Sequence, residues 1–317
     1  MQIFVTGASG FVGGAAVRRF VREGHRVRAM ARSDRSAEAV AALGAEPVRC
    51  SLEAIGAADI GDADVVLHAA AFVDDWGPAE AWYQGNVIGT EHVLAATRAA
   101  GARRFIHIGT EAAIVHGQDI DGADESYPLA PESTYPYCAT KAAAEAMVRA
   151  ANDARLETIV LRPRLVWGPG DTTLAPAIEA MAGRWRWIDH GRARTSTTHI
   201  DNLVEAIALA LTEGVPGEAY FVLDDGVSTM HEMITGMAAA RGITLPDASI
   251  PGWLAAAIGR TCEALWRGLP LRGAPPLTRH AAMVMARSCV LDDAKARREL
   301  RYRPVITREA GLRALAT

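Results

Sequence analysis

A tyrosine and a lysine four residues apart carry the clearest chemistry in this sequence. Tyr137 and Lys141 follow Pro136 in a segment that is rich in alanine and free of further glycine or proline as far as Ala151. Because proline is tolerated in the first turn of a helix, the segment is predicted to be helical. Residues four apart share a helix face, and a nearby cation lowers the pKa of a phenol. The spacing therefore predicts a general acid–base pair, with an ordinary surface pair as the alternative.

The amino-acid composition supports a chemical role for the lysine of this pair. Of the 33 lysine and arginine residues, only Lys141 and Lys295 are lysines. A lysine ammonium is compact and flexible, whereas an arginine guanidinium is planar. Lysine at position 141 of an arginine-rich sequence therefore favours a chemical role.

A glycine-rich turn near the start of the sequence predicts a dinucleotide site. The apolar run at 2–6 is followed at once by the glycine-rich segment 7–13, a helical segment at 15–23 and a second strand at 26–31. A strand, a glycine turn, a helix and a strand within about 30 residues is the context in which such glycines bind a pyrophosphate. Glycines that make a turn without any ligand are the alternative.

Each part of this turn has a predicted task. Gly7 would make the tight turn, Gly10 would let the backbone approach the pyrophosphate, and Gly13 would let the helix pack on the strand. The helix N-terminus, at Phe11 and Val12, would face the phosphates with free N–H groups and a favourable dipole.

The end of the second strand bears on the choice of dinucleotide. An acidic residue there would bind the ribose 2′-hydroxyl of NAD, but this sequence has Ala31-Arg32-Ser33. Pairing of Arg32 with a 2′-phosphate favours NADP. Asp34 keeps NAD open, and an exposed arginine without a role is the alternative reading of Arg32.

Strands continue to alternate with helices through the first half of the sequence. Further strands are predicted at 47–50, 63–68, 104–109 and 157–163, with helices at 86–100 and 140–151. Six strands alternating with helices predict an α/β fold with a parallel, doubly wound sheet. Ligands of such sheets bind at the carboxyl ends of the strands. The residues expected to converge there are Gly7 to Gly13, Ala69, Ala70, Ala71, Thr110 and Pro163.

The overall composition excludes several other classes of protein. The 317 residues are 50% hydrophobic and carry a net charge of −4, with no basic block, which argues against nucleic acid as a partner. The cysteines lie far apart and show no zinc spacing, so we expect reduced thiols in a cytoplasmic protein and no metal site. Neither a signal peptide nor an integral membrane span is predicted. The four cysteines are Cys50, Cys138, Cys262 and Cys289.

Short motifs in a fixed order cover most of the chain. They are T-G-A-S-G-F-V-G at 6–13, H-A-A-A at 68–71, N-V-I-G-T at 86–90, Y-C-A-T-K at 137–141, L-R-P at 161–163, G-P-G-D at 168–171 and H-I-D-N at 199–202. Together they resemble the extended short-chain dehydrogenase/reductases of the NAD-dependent epimerase/dehydratase superfamily. The runs P-P-L-T-R at 275–279 and D-A-K-A-R-R-E-L-R-Y-R-P at 293–304 look most like the 3β-hydroxysteroid dehydrogenase branch.

The resemblance implies roles for individual residues. Tyr137 would exchange a proton with a substrate hydroxyl or carbonyl, and Lys141 would lower the pKa of Tyr137 and hold the nicotinamide ribose. Asn86 would sit in the same pocket, although capping of a helix explains it equally well. The remaining cofactor contacts would come from Ser51, Leu52, Ala69, Ala70, Ala71, Pro163 and Val166.

Two positions depart from the family pattern. The family has Ser or Thr five residues before the glycine that stands here as Gly117, and this sequence has Ala112. If the segment is extended, Thr110 faces the same side as Ala112 and would supply the missing hydroxyl, while Glu111 would point away from Thr110. The second departure is Ser51, where many relatives place an adenine-binding Asp; a serine can still accept a hydrogen bond.

The resemblance also implies a division of the chain. Residues 1–167 would form the Rossmann dinucleotide-binding domain, with 198–222 returning to it. Residues 168–197 and 223–317 would form a smaller C-terminal substrate-binding lobe. In that lobe, 253–266 reads as a buried helix or as an exposed lid over an apolar ligand.

Three functions remain open at this point. The first is hydride transfer between NAD(P) and a small hydrophobic secondary alcohol or ketone, with Tyr137 as the acid–base. The second is a nucleotide-sugar epimerase or dehydratase, to which an acidic residue beside a catalytic hydroxyl, as at Thr110-Glu111, would belong. The third is a catalytically silent dinucleotide-sensing protein, for which Ala112 is the evidence. A homodimer through the helices near 88–100 and 137–151 is expected from the resemblance.

Overall fold

Parallel strands form the main sheet of the protein. The computed structural model describes residues 1–269 and 271–316. The strands are β1 Gln2–Thr6, β2 Arg26–Met30, β3 Glu46–Val48, β4 Val65–His68, β5 Arg104–Ile108, β6 Ile120–Ala123, β7 Glu157–Pro163, β8 Val166–Trp167, β9 Trp187–Ile188, β10 Arg194–Thr195, β11 Thr198–His199, β12 Ala219–Val222, β13 Ser228–Thr229, β14 Ser249–Ile250 and β15 Cys289–Leu291. Within the described residues, seven of them pair in parallel in the order β3-β2-β1-β4-β5-β7-β12.

Helices connect these strands and build the rest of the chain. The α-helices are α1 Phe11–Arg22, α2 Asp34–Ala42, α3 Ala57–Ile60, α4 Ala79–Trp82, α5 Gly89–Ala100, α6 Pro136–Ala150, α7 Leu174–Met181, α8 Ile200–Leu209, α9 Met230–Ala240, α10 Gly252–Gly268, α11 Arg279–Ala286, α12 Ala294–Glu299 and α13 Arg308–Ala314. A π-helical segment, Tyr83–Ile88, joins α4 to α5, and 3₁₀ turns lie at Glu111–Ile114, Ala182–Arg184 and Asp189–Gly191.

The sheet grows in opposite directions from the β1–β4 pair. From β1 the chain adds β2 and β3 on one side, and from β4 it adds β5, β7 and β12 on the other. Thr6 ends β1 and His68 ends β4, and these two residues are register partners. Because ligands of open parallel sheets bind beside such a reversal, the fold places the candidate site at the ends of these two strands.

The α/β class and the doubly wound parallel sheet predicted from the sequence are confirmed. The structure keeps the predicted bounds of β1 and β7, whereas β2 ends at Met30 and β4 begins at Val65. It also adds β12, a seventh strand among the described residues that the sequence pattern does not single out.

Apolar side chains cover both faces of this sheet. On one face Ile3 and Leu67 pack with α1 and α8, and on the other Phe4 and Val66 pack with α3, α5 and α6. Because both faces are covered, the central strands are hydrophobic runs and do not alternate with polar residues.

A second lobe, with its own core, lies beyond the carboxyl edge of the sheet. Its small sheet has the order β13-β10-β15-β6 among the described strands. Trp167, Trp185 and Trp187 pack there with the methionines of α9. The tryptophan rings at 185 and 187 meet edge to face with centroids 5.4 Å apart, so they belong to this core.

Helix α6, which carries Tyr137 and Lys141, begins at Pro136 as predicted and is fixed to β7 by a buried ion pair. Glu145 and Arg162 are both fully buried, and Nε of Arg162 donates to the two carboxylate oxygens of Glu145 at 3.0 and 2.9 Å. The Arg162 guanidinium also lies over the Phe221 ring, 5.2 Å from its centroid. The pair therefore sets the position of α6 on the sheet.

Removal of one partner should destabilise the fold strongly. In Arg162→Met the Glu145 carboxylate stays buried without a counter-ion, so the free energy of unfolding should fall by about 3–5 kcal/mol. Urea unfolding followed by circular dichroism measures this, with the exposed Arg155→Met as control. The double variant Arg162→Met, Glu145→Leu should recover most of the loss, and a single variant as stable as the control would contradict the assignment.

Candidate active site

The glycine turn after β1 has a geometry that excludes side chains at two positions. Gly7 has a φ of +70°, and a Cβ at this residue would lie 2.7 Å from the carbonyl carbon of Ala69. A Cβ at Gly13 would overlap the carbonyl oxygen of Gly7. Gly10 closes the turn by donating its N–H to the Gly7 oxygen at 3.0 Å. The turn thus lies directly against the main chain that follows β4.

The N-terminus of α1 is open toward this turn. Gly10 is the N-cap, and among the described residues no side chain caps the helix and its first turn holds no acid. The N–H groups of Phe11 and Val12 therefore have no partner within the helix and keep the favourable end of the dipole. These features fit the pyrophosphate of a dinucleotide.

Hydrogen bonds hold the run of small residues after β4 in place. Thr6 Oγ1 lies 2.8 Å from His68 Nδ1 and accepts the N–H of Ala70 at 3.2 Å. His68 Nε2 lies 3.0 Å from Thr90 Oγ1. Burial, followed by the charge of Lys141, lowers the pKa of His68 to about 3, so the ring is neutral. The segment of Ala69, Ala70 and Ala71 is thus fixed beside the glycine turn.

Asn86 holds the next residue of this segment. Its side-chain oxygen accepts the N–H of Phe72 at 2.7 Å, and its amide donates to the Phe72 oxygen at 3.1 Å and to Thr140 Oγ1 at 3.2 Å. The alternative of a helix cap is wrong, because α4, the π-helical segment and α5 are continuous and Asn86 lies within them. The side chain instead links the 69–72 segment to α6.

The residues proposed for the adenosine end lie after β2 and β3. Arg32 is exposed just beyond β2, and Ser33 caps α2 through its hydroxyl. The Asp34 side chain is 95% exposed and lies 3.2 Å from Arg49 Nη2. Ser51 and Leu52 follow β3, where the Leu52 oxygen lies 2.8 Å from His92 Nδ1. All of these residues border the carboxyl edge of the sheet.

Two further residues that the sequence analysis predicts to contact the cofactor lie at the opposite side of the crevice. Pro163 is the last residue of β7, and Val166 begins β8, where it pairs with Thr198. Both therefore border the carboxyl edge of the sheet, beside the segment that follows β5.

Lys141 is buried beneath the site. Its Nζ donates to the Ile108 oxygen at 2.9 Å and lies 3.4 Å from His107 Nε2. Burial lowers the pKa of Lys141 to about 8, and Glu145 opposes this. Burial also lowers the pKa of His107 well below its usual value, and the charge of Lys141 lowers it further. Lys141 therefore has a neutral imidazole and a carbonyl as its nearest neighbours.

Tyr137 has a pKa opposite to the one predicted from its spacing to Lys141. Burial raises the pKa of the Tyr137 phenol, and the Glu111 carboxylate raises it next. The Thr110 hydroxyl opposes the rise as a hydrogen-bonding neighbour. The predicted lowering is wrong for this chain because burial and a nearby anion set the direction. The phenol is therefore protonated at neutral pH.

The segment after β5 also differs from its predicted conformation. Thr110 caps the 3₁₀ turn Glu111–Ile114, accepting the N–H of Ala112 at 3.2 Å, so the segment is not extended. The Thr110 hydroxyl donates to Glu111 Oε2 at 2.7 Å, and Glu111 Oε1 lies 2.6 Å from Arg164 Nη1. The expectation that Glu111 points away from Thr110 is therefore wrong. The structure brings Thr110, Glu111 and Tyr137 together.

A cavity opens beside Tyr137 at the boundary of the two lobes. Its volume is about 580 Å³, within the usual range for small-molecule sites. Its walls come from the segment after β4, the start of α6, the end of α10 and the start of α11. Besides Tyr137, the aromatic walls are Trp76, Trp82, Tyr135 and Trp266, and the charged walls include Asp75, Arg267, Arg279 and His280.

Most of these wall residues are not identified by the sequence analysis. His280 Nδ1 lies 3.0 Å from Asp75 Oδ1, and its ring centroid is 5.8 Å from that of Tyr137. Asp75 and His280 are separated by 205 positions, so no local pattern brings them together. Two signals are available: the P-P-L-T-R run, whose Arg279 lines the cavity, and the segment 253–266, whose Trp266 does so.

Helix α10 contributes one end to this cavity. The reading of 253–266 as a buried helix is wrong, because only Ala255, Gly259 and Glu263 are buried among the described residues of α10. Trp253 is 73% exposed, whereas Trp266 and the residues around it form part of the cavity wall. Within 1–269 and 271–316, no helix has both the length and the apolar character required to cross a membrane.

Comparison with known proteins gives consistent matches along the chain. The model of the NAD dependent epimerase/dehydratase family matches residues 3–222. A 4-hydroxy-2-methyl-3-oxo-4-farnesyl-3,4-dihydroquinoline-1-oxide ketoreductase of Stigmatella aurantiaca is 40% identical over 99% of this chain and 96% of that protein. A 2-alkyl-3-oxoalkanoate reductase of Stenotrophomonas maltophilia (strain K279a) is 39% identical over 99% of this chain and 98% of that protein.

A steroid-converting relative and a solved structure extend these matches. A 3 beta-hydroxysteroid dehydrogenase/Delta 5-->4-isomerase of Mycobacterium tuberculosis (strain CDC 1551 / Oshkosh) is 30% identical over 98% of this chain and 88% of that protein. The fold also matches UDP-glucuronic acid 4-epimerase from Bacillus cereus, solved in complex with NAD, with a TM-score of 0.76 and 19% identity over 99% and 97% of the two chains. The predicted resemblance is confirmed. This chain belongs to the NAD dependent epimerase/dehydratase family and is an NAD-dependent enzyme of the extended short-chain dehydrogenase/reductase type.

Proposed function

We propose that this enzyme reduces a hydrophobic ketone to a secondary alcohol with a nicotinamide dinucleotide, and that Tyr137 is the acid. The observation that carries the proposal is the aromatic-walled cavity of about 580 Å³ that has Tyr137 in its lining. Rings of Trp and Tyr bind apolar groups over large areas at low cost in conformational entropy. The relatives named as a ketoreductase and an oxoalkanoate reductase act on ketones, which supports the same chemistry here.

The protonation state of Tyr137 supports the direction of reduction. A ketone that accepts hydride also needs a proton at its oxygen, and a phenol with a raised pKa is protonated and able to donate one. When bound, the reduced nicotinamide supplies the hydride. Tyr137 then donates its proton to the substrate oxygen. The Thr110 hydroxyl, whose own proton is donated to Glu111 Oε2, lies beside the phenol and positions it. Lys141 and Asn86 would hold the nicotinamide ribose and the segment beside it.

The substitution Tyr137→Phe tests this assignment directly. Loss of the phenolic proton should lower kcat for reduction of a long-chain alkyl ketone by about 10²–10⁴-fold, while affinity for the dinucleotide stays within twofold. Steady-state kinetics and calorimetric titration measure the two effects.

Tyr135→Phe is the matched control, because Tyr135 lines the same cavity and lies two residues away. Its kcat should stay near that of the unaltered enzyme. Equal losses in the two variants, or full turnover in Tyr137→Phe, would refute the role of Tyr137.

Glu111 should act on the pH dependence of the reaction through Tyr137. Because its carboxylate raises the pKa of Tyr137, Glu111→Gln should lower that pKa while an amide oxygen still accepts from Thr110 or Arg164. Reduction needs the protonated phenol, so the alkaline limb of the pH profile of kcat should move to lower pH. Kinetics over the alkaline range measure the shift, with the exposed Glu132→Gln as control. An unchanged alkaline limb would contradict this role.

Glu111 also favours a second candidate, a nucleotide-sugar epimerase or dehydratase. Its carboxylate lies beside the Thr110 hydroxyl, as the acidic residue of a dehydratase would. Against this, four arginines of the sequence that could bind the diphosphate of a sugar nucleotide do not line the described cavity. They are Arg184, Arg186, Arg192 and Arg194. Cofactor binding without turnover of any ketone or sugar nucleotide would instead favour a dinucleotide-sensing protein, consistent with Ala112.

For the cofactor we infer a preference for NADP through Arg32. Its exposed guanidinium follows β2, where a 2′-phosphate would lie, and Asp34 is turned toward Arg49. Arg32→Ala should therefore weaken NADPH binding by about 10-fold and leave NADH binding unchanged, because one charge-assisted hydrogen bond is lost. Parallel calorimetric titrations measure this, with Arg35→Ala on the same surface as control. A preference of the unaltered enzyme for NADH would overturn the inference.

The cysteines and the family resemblance bear on the cellular location and the oligomeric state of the enzyme. The four cysteines that the structure describes are unpaired, which supports a cytoplasmic enzyme. By analogy with the family, we expect a homodimer formed through α5 and α6. We also expect the cavity to bind a small hydrophobic substrate.

A further inference from the structure

The P-P-L-T-R run ends in an arginine that the proposed chemistry does not use. Arg279 begins α11, and its main-chain N–H donates to Glu263 Oε1 at 2.7 Å. Its guanidinium contacts neutral groups: Nη2 lies 3.3 Å from Thr134 Oγ1, and Cζ lies 5.5 Å from the Tyr135 ring centroid. No carboxylate in the described part of the chain forms an ion pair with it, so its positive charge is not compensated by the protein.

The other basic side chains of the cavity each have an acidic partner. His280 Nδ1 lies 3.0 Å from Asp75 Oδ1, and Arg267 Nη2 lies 3.5 Å from Glu263 Oε2. Arg279 is thus the cation of this lining that retains its charge for a ligand. Its position over an aromatic ring also reduces its contact with water, which strengthens its attraction for an anion.

The guanidinium belongs to the neighbourhood of the reacting phenol. Tyr135, on which it stacks, is two residues before Tyr137, and His280 follows Arg279 directly. The His280 ring centroid is 6.0 Å from that of Tyr135 and 5.8 Å from that of Tyr137. An anion on Arg279 would therefore lie in the same cavity as the group that meets Tyr137.

We propose that Arg279 binds a carboxylate of the substrate, and that the enzyme acts on oxo acids in preference to neutral ketones. The inference rests on the proposed function of Tyr137 as the acid of ketone reduction. An oxo acid carries a ketone for Tyr137 and a carboxylate for Arg279, and both residues line the same cavity. The planar guanidinium matches a carboxylate with two parallel hydrogen bonds. The aromatic walls then accommodate the alkyl chains.

The proposed reduction transfers one hydride and one proton to the ketone, so its atoms and electrons balance. The ketone carbon gains a hydride from the reduced nicotinamide, its oxygen gains the proton of Tyr137, and the dinucleotide is oxidised. The carboxylate forms no bond and breaks none. Arg279 is therefore a residue for specificity and binding, and its loss should act on KM far more than on kcat.

The test uses the reverse reaction, because 3-hydroxy acids are chemically stable. The enzyme is given an oxidised dinucleotide and either a 2-alkyl-3-hydroxyalkanoic acid or its methyl ester. The absorbance of the reduced nicotinamide then measures the oxidation of each substrate. The unaltered enzyme should show a KM about 10–100-fold lower for the acid, the value of one charged hydrogen-bonded contact. Arg279→Gln should raise the KM for the acid by the same factor and leave that for the ester unchanged.

Two further variants separate charge from structure. Arg279→Lys keeps the charge but not the paired donors and should give an intermediate KM for the acid. Arg272→Gln removes an exposed arginine of the segment before α11 and should leave both substrates unaffected. A binding measurement that needs no turnover accompanies these: the holoenzyme should bind a fatty acid anion more tightly than the alcohol of equal chain length, and Arg279→Gln should abolish the difference.

The outcomes distinguish this inference from the function on which it rests. Equal KM values for acid and ester in the unaltered enzyme would overturn the role of Arg279, and so would an equal rise in both KM values in Arg279→Gln. Turnover of the two substrates would still support the proposed ketone chemistry. If the enzyme converts neither substrate and no neutral alcohol or ketone, both proposals fail. A ten-fold or greater preference for the acid that depends on Arg279 supports the carboxylate anchor.

Discussion

The candidate site depends on the stabilisation of charged groups that are buried beneath helix α6. A buried charge costs several kcal/mol unless a counter-ion and hydrogen bonds compensate it. Glu145 and Arg162 meet this condition by pairing with each other between α6 and β7. The same constraint shapes Lys141, whose ammonium is held by the Ile108 carbonyl while burial lowers its pKa to about 8. The helix is therefore located by electrostatics as well as by packing, and Tyr137, one turn before Lys141, takes its position from this arrangement.

Burial also determines the chemistry available to Tyr137. A phenol withdrawn from water and placed near the Glu111 carboxylate has a raised pKa, so it holds its proton. Glu111 itself is retained in the interior by Arg164, whose Nε donates to Thr195 Oγ1 at 2.9 Å. A series of hydrogen bonds thus runs from Arg164 through Glu111 to Thr110, beside Tyr137. It links the second lobe to Tyr137. These contacts place the Thr110 hydroxyl beside Tyr137, whereas Ala112 has only a methyl group there.

Local features of the sequence predict the glycine turn and the sheet, whereas contacts between distant residues determine the parts of the candidate site that the sequence does not predict. The glycine turn and the sheet are encoded within short segments, because steric limits at Gly7 and Gly13 and the apolar strands act over a few residues. The conformation at Thr110 was mispredicted because a capped 3₁₀ turn and an ion pair to Arg164, 53 positions away from Glu111, outweigh the extended form. The pKa of Tyr137 was mispredicted because spacing to Lys141 reports neither burial nor Glu111. The pairing of Asp75 with His280 depends on the docking of α11 and has no local signature.

The two halves of the site are built on different kinds of element, and this separates chemistry from specificity. The cradle for the dinucleotide lies on strand ends and the first turn of α1, where a single Cβ would clash with main chain. The cavity wall instead comes from the segment after β4 and the ends of α10 and α11, where side chains such as Trp266 and Arg279 can change without strain on the sheet. Binding sites carried by loops and helix ends vary more readily than the scaffold that holds them. The sheet and α6 thus hold the glycine turn, Tyr137 and Lys141 in place, whereas the charge and shape of the cavity depend on the residues of that wall.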